Sequence, residues 1–428
     1  MKTTCEKMEN CQMALNVEME SAETAKYMAM GLEHLAKRVQ LPGFRKGKAP
    51  SSLVEQHVGK EAILQEALEH LIPEAYEDAI KNESISPIAE PKIELIGIDP
   101  IVFKAIVPLK PNITPGNYRD VKLEMGKKEI TDDDINHVIE QLKLQFGTLE
   151  PVDRDIRFGD IISADIIGKK GEDKILERKD TLYEVSEGSK YPAPGFAAKL
   201  VGLKKDDDTA FDLTFPDDFE MKELSGKLYS FTVKIKEVKE KRLPDVNDEF
   251  AKNAGSENVE ELKEKIKTGL QTKAEEHLKR EFENKLITTL IEQSSLEFPP
   301  VLIEKEIDNM VNEEARNFAD GVNGLENYLS NAKKTMDQHR EDLKASATDR
   351  VKAYLVMSKI AEEEKVEVSD EDLNNAIEGM VQGDEAKAES VRAVFTMPEP
   401  RASLRNMIAI NKTMDLLTKM VTGQDDKK

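Results

Sequence analysis

The chain has 428 residues, too many for one ordinary core and enough for about three domains at roughly 150 residues each. Apolar residues make up 39%, aromatics 5% and charged residues 34%, with no tryptophan, a balance that suits thin cores and long helices better than a deep enzyme pocket. The formal net charge of −22 excludes broad adsorption to nucleic acid or anionic lipid, because the mean field repels polyanions, so any RNA contact must be local.

Residues 11–20 alternate, with Cys11, Met13, Leu15, Val17 and Met19 on one face and Gln12, Asn16, Glu18 and Glu20 on the other, as a half-buried strand requires. A helix is expected from Ser21 to about Val39. After Pro50 a second follows through Ile63, Leu64, Ala67, Leu68, Leu71, Ile72, Ala75, Tyr76, Ala79 and Ile80 at three- and four-residue spacing. Pro87, Pro91 and the run Ile101-Val102-Phe103 return the chain to strand, so residues 1–113 read as an α+β domain. Pro111, Pro115 and Gly116 open a linker, 114–153, in which Thr131-Asp132-Asp133-Asp134 caps a helix carrying Ile135, Val138, Ile139 and Leu142.

From Gly159 to Val238 short β-like runs alternate with glycine, proline and lysine turns, which marks 154–243 as a compact β-rich domain. Beyond Pro244 the helical period returns and fills 244–428. Leu262, Ile266, Leu270, Ala274, Leu278, Phe282, Leu286 and Leu290 recur every four residues, an apolar stripe that drifts slowly around one long helix until Pro299-Pro300 ends it. Further helices are expected around Leu302 to Val311, Met336 to Glu364, after the Ser369 to Asp372 cap, and from Ser403 to Val421. This region holds Met310, Met336, Met357, Met380, Met397, Met407, Met414 and Met420, flexible side chains that suit either core gaps or adaptable binding surfaces.

Cys5 and Cys11 fit neither a disulfide framework nor a four-ligand zinc site. His34, His57, His70, His137, His277 and His339 are scattered without an HExxH pair, so neither metal nor cofactor is expected. Without an apolar run of about 20 residues, or an apolar export core in Met1 to Glu20, the expectation is a cytoplasmic protein with no membrane partner.

One segment inverts the charge of the whole. Between Glu33 and Glu55 no acidic residue occurs, while Lys37, Arg38, Arg45, Lys46 and Lys48 all do. At its centre, Gly43-Phe44-Arg45-Lys46-Gly47-Lys48-Ala49-Pro50 forms a loop between helices from which cations and one phenylalanine project. Such cations can neutralise phosphates or acidic side chains while Phe44 fills an apolar notch, although a solvated charged turn is the plainer reading of composition alone. The spacing also excludes a GxxxxGK[ST] nucleotide loop, so any work done here is expected to be ATP-independent.

This octet closely matches the GFRxGKxP docking-loop signature of the trigger factor family, and the strand, helix, loop, helix layout around it matches as well. The resemblance extends over nearly the whole chain. It implies a multidomain α+β chaperone: an N-terminal domain that docks at the ribosomal tunnel exit, a β-rich FKBP-like middle domain, and an all-α C-terminal domain with arms. By the same resemblance Gly43, Phe44, Arg45, Lys46, Gly47, Lys48 and Pro50 bind a ribosomal protein and nearby RNA. Nascent and unfolded polypeptides are then the clients, DNA is not a partner, and a homodimer away from the ribosome is left open.

Gly159 to Glu240 resembles an FKBP-type prolyl isomerase domain, on Gly159-Asp160, Gly188 followed by Gly195-Phe196, Phe215-Pro216-Asp217-Asp218-Phe219 and Phe231. Rotation of an X-Pro bond faces a barrier near ~20 kcal/mol, and a dry apolar pocket favours the twisted amide, which has lost charge separation. The resemblance implies Tyr183, Phe196, Phe219 and Phe231 as aromatic walls, with Phe196 as the floor. Ile166 and Ile175 stand where the family usually has aromatic residues, Leu176 replaces an acidic one, and Pro192 and Ala193 alter the loop that presents a backbone donor. A weak or vestigial isomerase is therefore expected. A stand-alone isomerase and a helical scaffold with no folding role remain the competing readings.

Overall fold

The computed structural model describes residues 1–423 apart from 43, 46, 172, 218–224 and 382–384. The chain divides into two compact units, Met1–Gly126 with Lys279–Lys428, and Lys127–Leu278.

The first unit opens with β1 (Lys2–Met8), β2 (Gln12–Glu18), α1 (Ser21–Arg38), α2 (Ser51–Glu83), β3 (Lys92–Ile98), β4 (Ile101–Pro108) and β5 (Asn112–Thr114). The first four strands make an antiparallel sheet in the order β1-β2-β4-β3. Period-two patterning holds on the inner strands: Ile101, Phe103, Ala105 and Val107 of β4 are all 0% exposed, and they pack with Leu15 and Val17 of β2 against Leu71, Ala75 and Ala79 of α2. The edge strands β1 and β3 have no such alternation and were not foreseen. Lys2 to Met8 pairs along one side only, so half of its ladder groups face away from the sheet and little selects apolar residues there.

The second unit holds α3 (Asp132–Phe146), β6 (Thr148–Pro151), β7 (Ile161–Lys170), β8 (Asp173–Glu184), α4 (Phe196–Leu200), β9 (Asp208–Thr214), β10 (Leu228–Arg242), α5 (Asp248–Asn253) and the start of α6 (Val259–Gln293). The Thr131 cap is realised, with Thr131 Oγ1 accepting from the Asp134 N–H and the Asp134 carboxylate accepting from the Thr131 N–H. Strand β10, 15 residues long, organises the sheet. One edge bonds β9 along Leu228 to Lys234 and β6 along Lys239 to Arg242, while the other bonds β7, with a bulge between Ile235 and Glu237. Its inward side chains Phe231, Val233 and Ile235 meet Ile162, Ile166, Tyr183, Phe196 and Leu200 in one core. A smaller core joins Ile135 and Ile139 of α3 to Phe250 of α5 and Leu262 of α6.

The rest of the first unit is helical apart from β11 (Ser295–Glu297), which pairs with β5. The long helix ends at Gln293, before the two prolines expected to stop it, and the short strand fills the interval. Then come α7 (Val301–Ala315), α8 (Val322–Asn331), α9 (Met336–Glu363), α10 (Asp370–Val381), α11 (Glu385–Val394) and α12 (Pro398–Thr422). The drifting stripe of α6 serves two cores: Leu262 lies in the one above, and Phe282, Leu286 and Leu290 pack with Tyr118, Val356, Ile360 and Leu417. The Tyr118 hydroxyl donates to Glu364 Oε1 at 2.7 Å, and its burial together with that carboxylate pushes its pKa up to about 12. Helices α10 and α12 are tied by Lys412, which donates to Asp372 Oδ2 at 2.6 Å and, with Ser369, holds that carboxyl down at about 2. Among the described residues no helix is long and apolar enough to cross a membrane.

Candidate functional site

The basic segment joins α1 to α2. Its five cations fall into two groups. At the end of α1, Lys37 Nζ stands 2.8 Å from Glu33 and Arg38 Nη1 stands 3.2 Å from Glu66, so both charges are answered within the fold. In the loop, Arg45 and Lys48 are exposed and neither makes an ion pair among the described residues, so their charge is available to a partner. Phe44, immediately before Arg45, keeps 39% of its surface in solvent.

The loop has local order. The Phe44 N–H donates to the Leu41 carbonyl at 3.1 Å, the Lys48 N–H donates to the Arg45 carbonyl at 2.9 Å, and Gly47 has φ 79, a conformation that other residues rarely adopt. Pro50 then stands as N-cap of α2 with φ −57, compatible with its ring. Gly43 and Lys46 lie outside the described residues.

In the second unit three of the four expected aromatic walls, Tyr183, Phe196 and Phe231, come together as a packed cluster. Ring centroids are 5.3 Å apart for Tyr183 and Phe196 and 5.2 Å for Phe196 and Phe231, both edge to face. Phe196 is 0% exposed, Phe231 1%, Ile166 2% and Tyr183 5%, so these faces lie within the core. Burial pushes the Tyr183 hydroxyl pKa up, and that hydroxyl donates to the Tyr191 carbonyl at 2.8 Å. Ile175 stands apart, 48% exposed on β8, while its neighbour Leu176 packs against the core. Phe219 lies outside the described residues.

Sequence reasoning missed Phe211, half-buried on β9, whose ring stands 5.4 Å from Phe196 and 6.1 Å from Phe231. It is the cross-strand partner of Phe231, and the alternation Phe211, Leu213, Phe215 was the available signal.

Residues 1–142 match the family model described as bacterial trigger factor protein, and residues 258–419 match the model of its C-terminus. The trigger factor of Dehalococcoides mccartyi is 32% identical over 417 residues, covering 97% of this chain and 93% of its own. That of Carboxydothermus hydrogenoformans is 32% identical over 422 residues, covering 97% and 98%. The chain belongs to the trigger factor family.

As a trigger factor the protein is a ribosome-associated chaperone, in a family whose members carry a prolyl-isomerase-type domain. Chaperoning needs apolar surface that is reachable yet dispersed. In the helical region of this trigger factor, Met380, Met397 and Met407 are 49%, 53% and 49% exposed, whereas Met310 and Met357 are buried and Met336, Met414 and Met420 are half-buried packing. A cleft of about 570 Å³ is lined by Leu302, Val351, Tyr354 and Leu355 together with Glu306 and Arg350, with Tyr354 48% exposed at its wall. In the N-terminal sheet, edge strand β3 leaves Leu95, Ile96 and Ile98 at 45%, 62% and 59%.

Proposed function

We propose that the loop Gly43 to Pro50 is the hook by which this chaperone docks at the ribosomal tunnel exit, with Phe44 seated against a ribosomal protein and Arg45, Lys46 and Lys48 on acidic groups or nearby RNA. One observation carries this reading: Arg45 and Lys48 are exposed and unpaired among the described residues beside an accessible Phe44, in a chain of net charge −22 whose neighbouring cations are already paired. An acidic molecule gains nothing from its mean field on approaching RNA, so a local exception of this kind supplies the contact.

In this reading residues 1–113 dock, 114–153 link, 154–243 form the isomerase-type domain and 244–428 hold nascent chains, all in the cytoplasm and without ATP. The dispersed apolar surface on β3, α9, α10 and α12 contacts clients, and the acidic surroundings keep it soluble. The middle domain turns over prolyl bonds weakly, since Tyr183, Phe196 and Phe231 are closed into the core.

The test is ribosome co-sedimentation of a Phe44→Ala, Arg45→Ala, Lys46→Ala variant. Binding is expected to fall at least about tenfold, as loss of a central anchor does, while suppression of client aggregation is retained. Undiminished pelleting would remove the hook; loss of aggregation suppression alone would place client holding in the loop instead.

A further inference from the structure

Helices α1 and α2 approach unusually closely at Gly31. A Cβ built there would lie 2.9 Å from the Ile63 carbonyl oxygen and 3.0 Å from the Ala67 nitrogen, so only glycine permits the contact. One turn along, this approach brings His34 of α1 against Glu66 and His70 of α2, which share a helix face at i and i+4. His34 Nδ1 stands 3.2 Å from His70 Nε2 and 3.4 Å from Glu66 Oε1, and one ligand atom from each of the three lies within 4.8 Å of the others. The two imidazoles are edge to face, with centroids 4.8 Å apart.

Hydrogen bonding among the three does not close. His34 Nδ1 carries at most one proton, which serves Glu66 or His70 but not both. If His70 donates instead, the His34 lone pair faces the carboxylate. Glu66 is 7% exposed, and its Oε1 accepts no hydrogen bond among the described residues despite the nearby imidazole nitrogen. Arg38 answers only the other oxygen, Oε2, at 3.2 Å. A buried carboxylate oxygen without a donor, beside an imidazole nitrogen and with a second imidazole within 4.8 Å, is a place that a cation fits.

We propose that His34, Glu66 and His70 form a binding site for a divalent transition-metal ion of the zinc class, which cross-links α1 to α2. Two neutral imidazoles and one carboxylate suit zinc, copper, nickel or cobalt rather than calcium or magnesium, which prefer all-oxygen shells. Tetrahedral zinc with bonds of about 2.0–2.1 Å separates its ligand atoms by roughly 3.4 Å, close to the two short distances observed here. Arg38 on Oε2 fixes the carboxylate for single-oxygen ligation and plays the orienting part that outer partners play at metal sites. A fourth position remains for water or an incoming ligand.

The experiment is calorimetric titration of the untagged, metal-stripped full chain with zinc chloride at neutral pH. One equivalent is expected to bind, its affinity lowered at least about tenfold in Glu66→Gln and lost in His70→Ala and His34→Ala, while a Cys5→Ser, Cys11→Ser variant keeps it. In wild type that equivalent should raise the melting temperature, and in His70→Ala it should not, with both proteins melting alike in chelator. Cobalt should give a visible absorption band in wild type that His70→Ala lacks. An equivalent that survives His70→Ala, or one that disappears with the cysteines, overturns the site.

Discussion

A prolyl ring can be gripped only by aromatic faces that solvent reaches. Phe196 and Phe231 present almost none, and the hydroxyl of Tyr183 is committed to the Tyr191 carbonyl. Phe211, half-buried and in ring contact with Phe196 and Phe231, leaves part of its face open to solvent beside that cluster, whereas Ile175 stands outside the core, 48% exposed. An aromatic contact of this kind contributes about 0.5–1.5 kcal/mol, up to roughly tenfold in rate if it is made to the twisted amide alone. Phe211→Ala should therefore lower catalysis of proline-limited refolding by several-fold to tenfold, and Ile175→Ala should leave it unchanged. Equal losses in both variants, measured as the rate of the slow refolding phase against chaperone concentration, would move the catalytic surface toward β8.

At the scale of elements, two helical glycines make opposite predictions. In a helix alanine gains roughly 1 kcal/mol over glycine, but over-packing a tight contact costs about 1–3 kcal/mol. Gly269 of α6 has nothing within 4 Å of its missing Cβ, so Gly269→Ala should stabilise. Gly31 meets backbone atoms of α2, which cannot swing aside, so Gly31→Ala should lose about 1–2 kcal/mol and push His34 away from Glu66. Urea unfolding of the two variants checks the signs, and a stabilised Gly31→Ala would mean that the helices separate without cost.

The same elements show what was legible in the chain. Long helices with a recurring apolar face, such as α2 beyond its break at Gly59, α6 and α9, and inner strands such as β2 and β10 declare themselves through local periodicity, because each buries a face over several successive turns or residue pairs. Strands β1, β3 and β11 do not, since two are edges and the third is three residues long. The loop octet could be read because its chemistry is contiguous in sequence. The alternation Phe211, Leu213, Phe215 marks a strand face, but the pairing of Phe211 with Phe231 and the grouping of His34, Glu66 and His70 could not be read, because each depends on a residue that only tertiary structure brings near, on β10 in one case and across the Gly31 contact in the other.

For the whole molecule, two electrostatic effects oppose each other on the ribosome, and their ranges differ. In the proposed docking, Arg45, Lys46 and Lys48 would displace counterions from RNA phosphate, each lowering the slope of log K against log salt by about 0.7–0.9. The net charge of −22 repels the same polyanion through the ionic atmosphere, over a Debye length of about 30 Å at 0.01 M but only about 8 Å at 0.15 M. Near physiological salt the repulsion is screened and the contacts govern, so affinity should fall as salt rises, with a slope of roughly −2 to −3 if all three cations meet RNA. Toward low salt the repulsion reaches further and the curve should flatten. Arg45→Ala should make the slope shallower by about 1. Pelleting at fixed magnesium across a monovalent salt series reads all three features. A slope indifferent to Arg45→Ala assigns the cationic contacts to acidic protein side chains rather than RNA, and affinity that rises with salt above 0.1 M means that the acidic body, not the loop, controls docking.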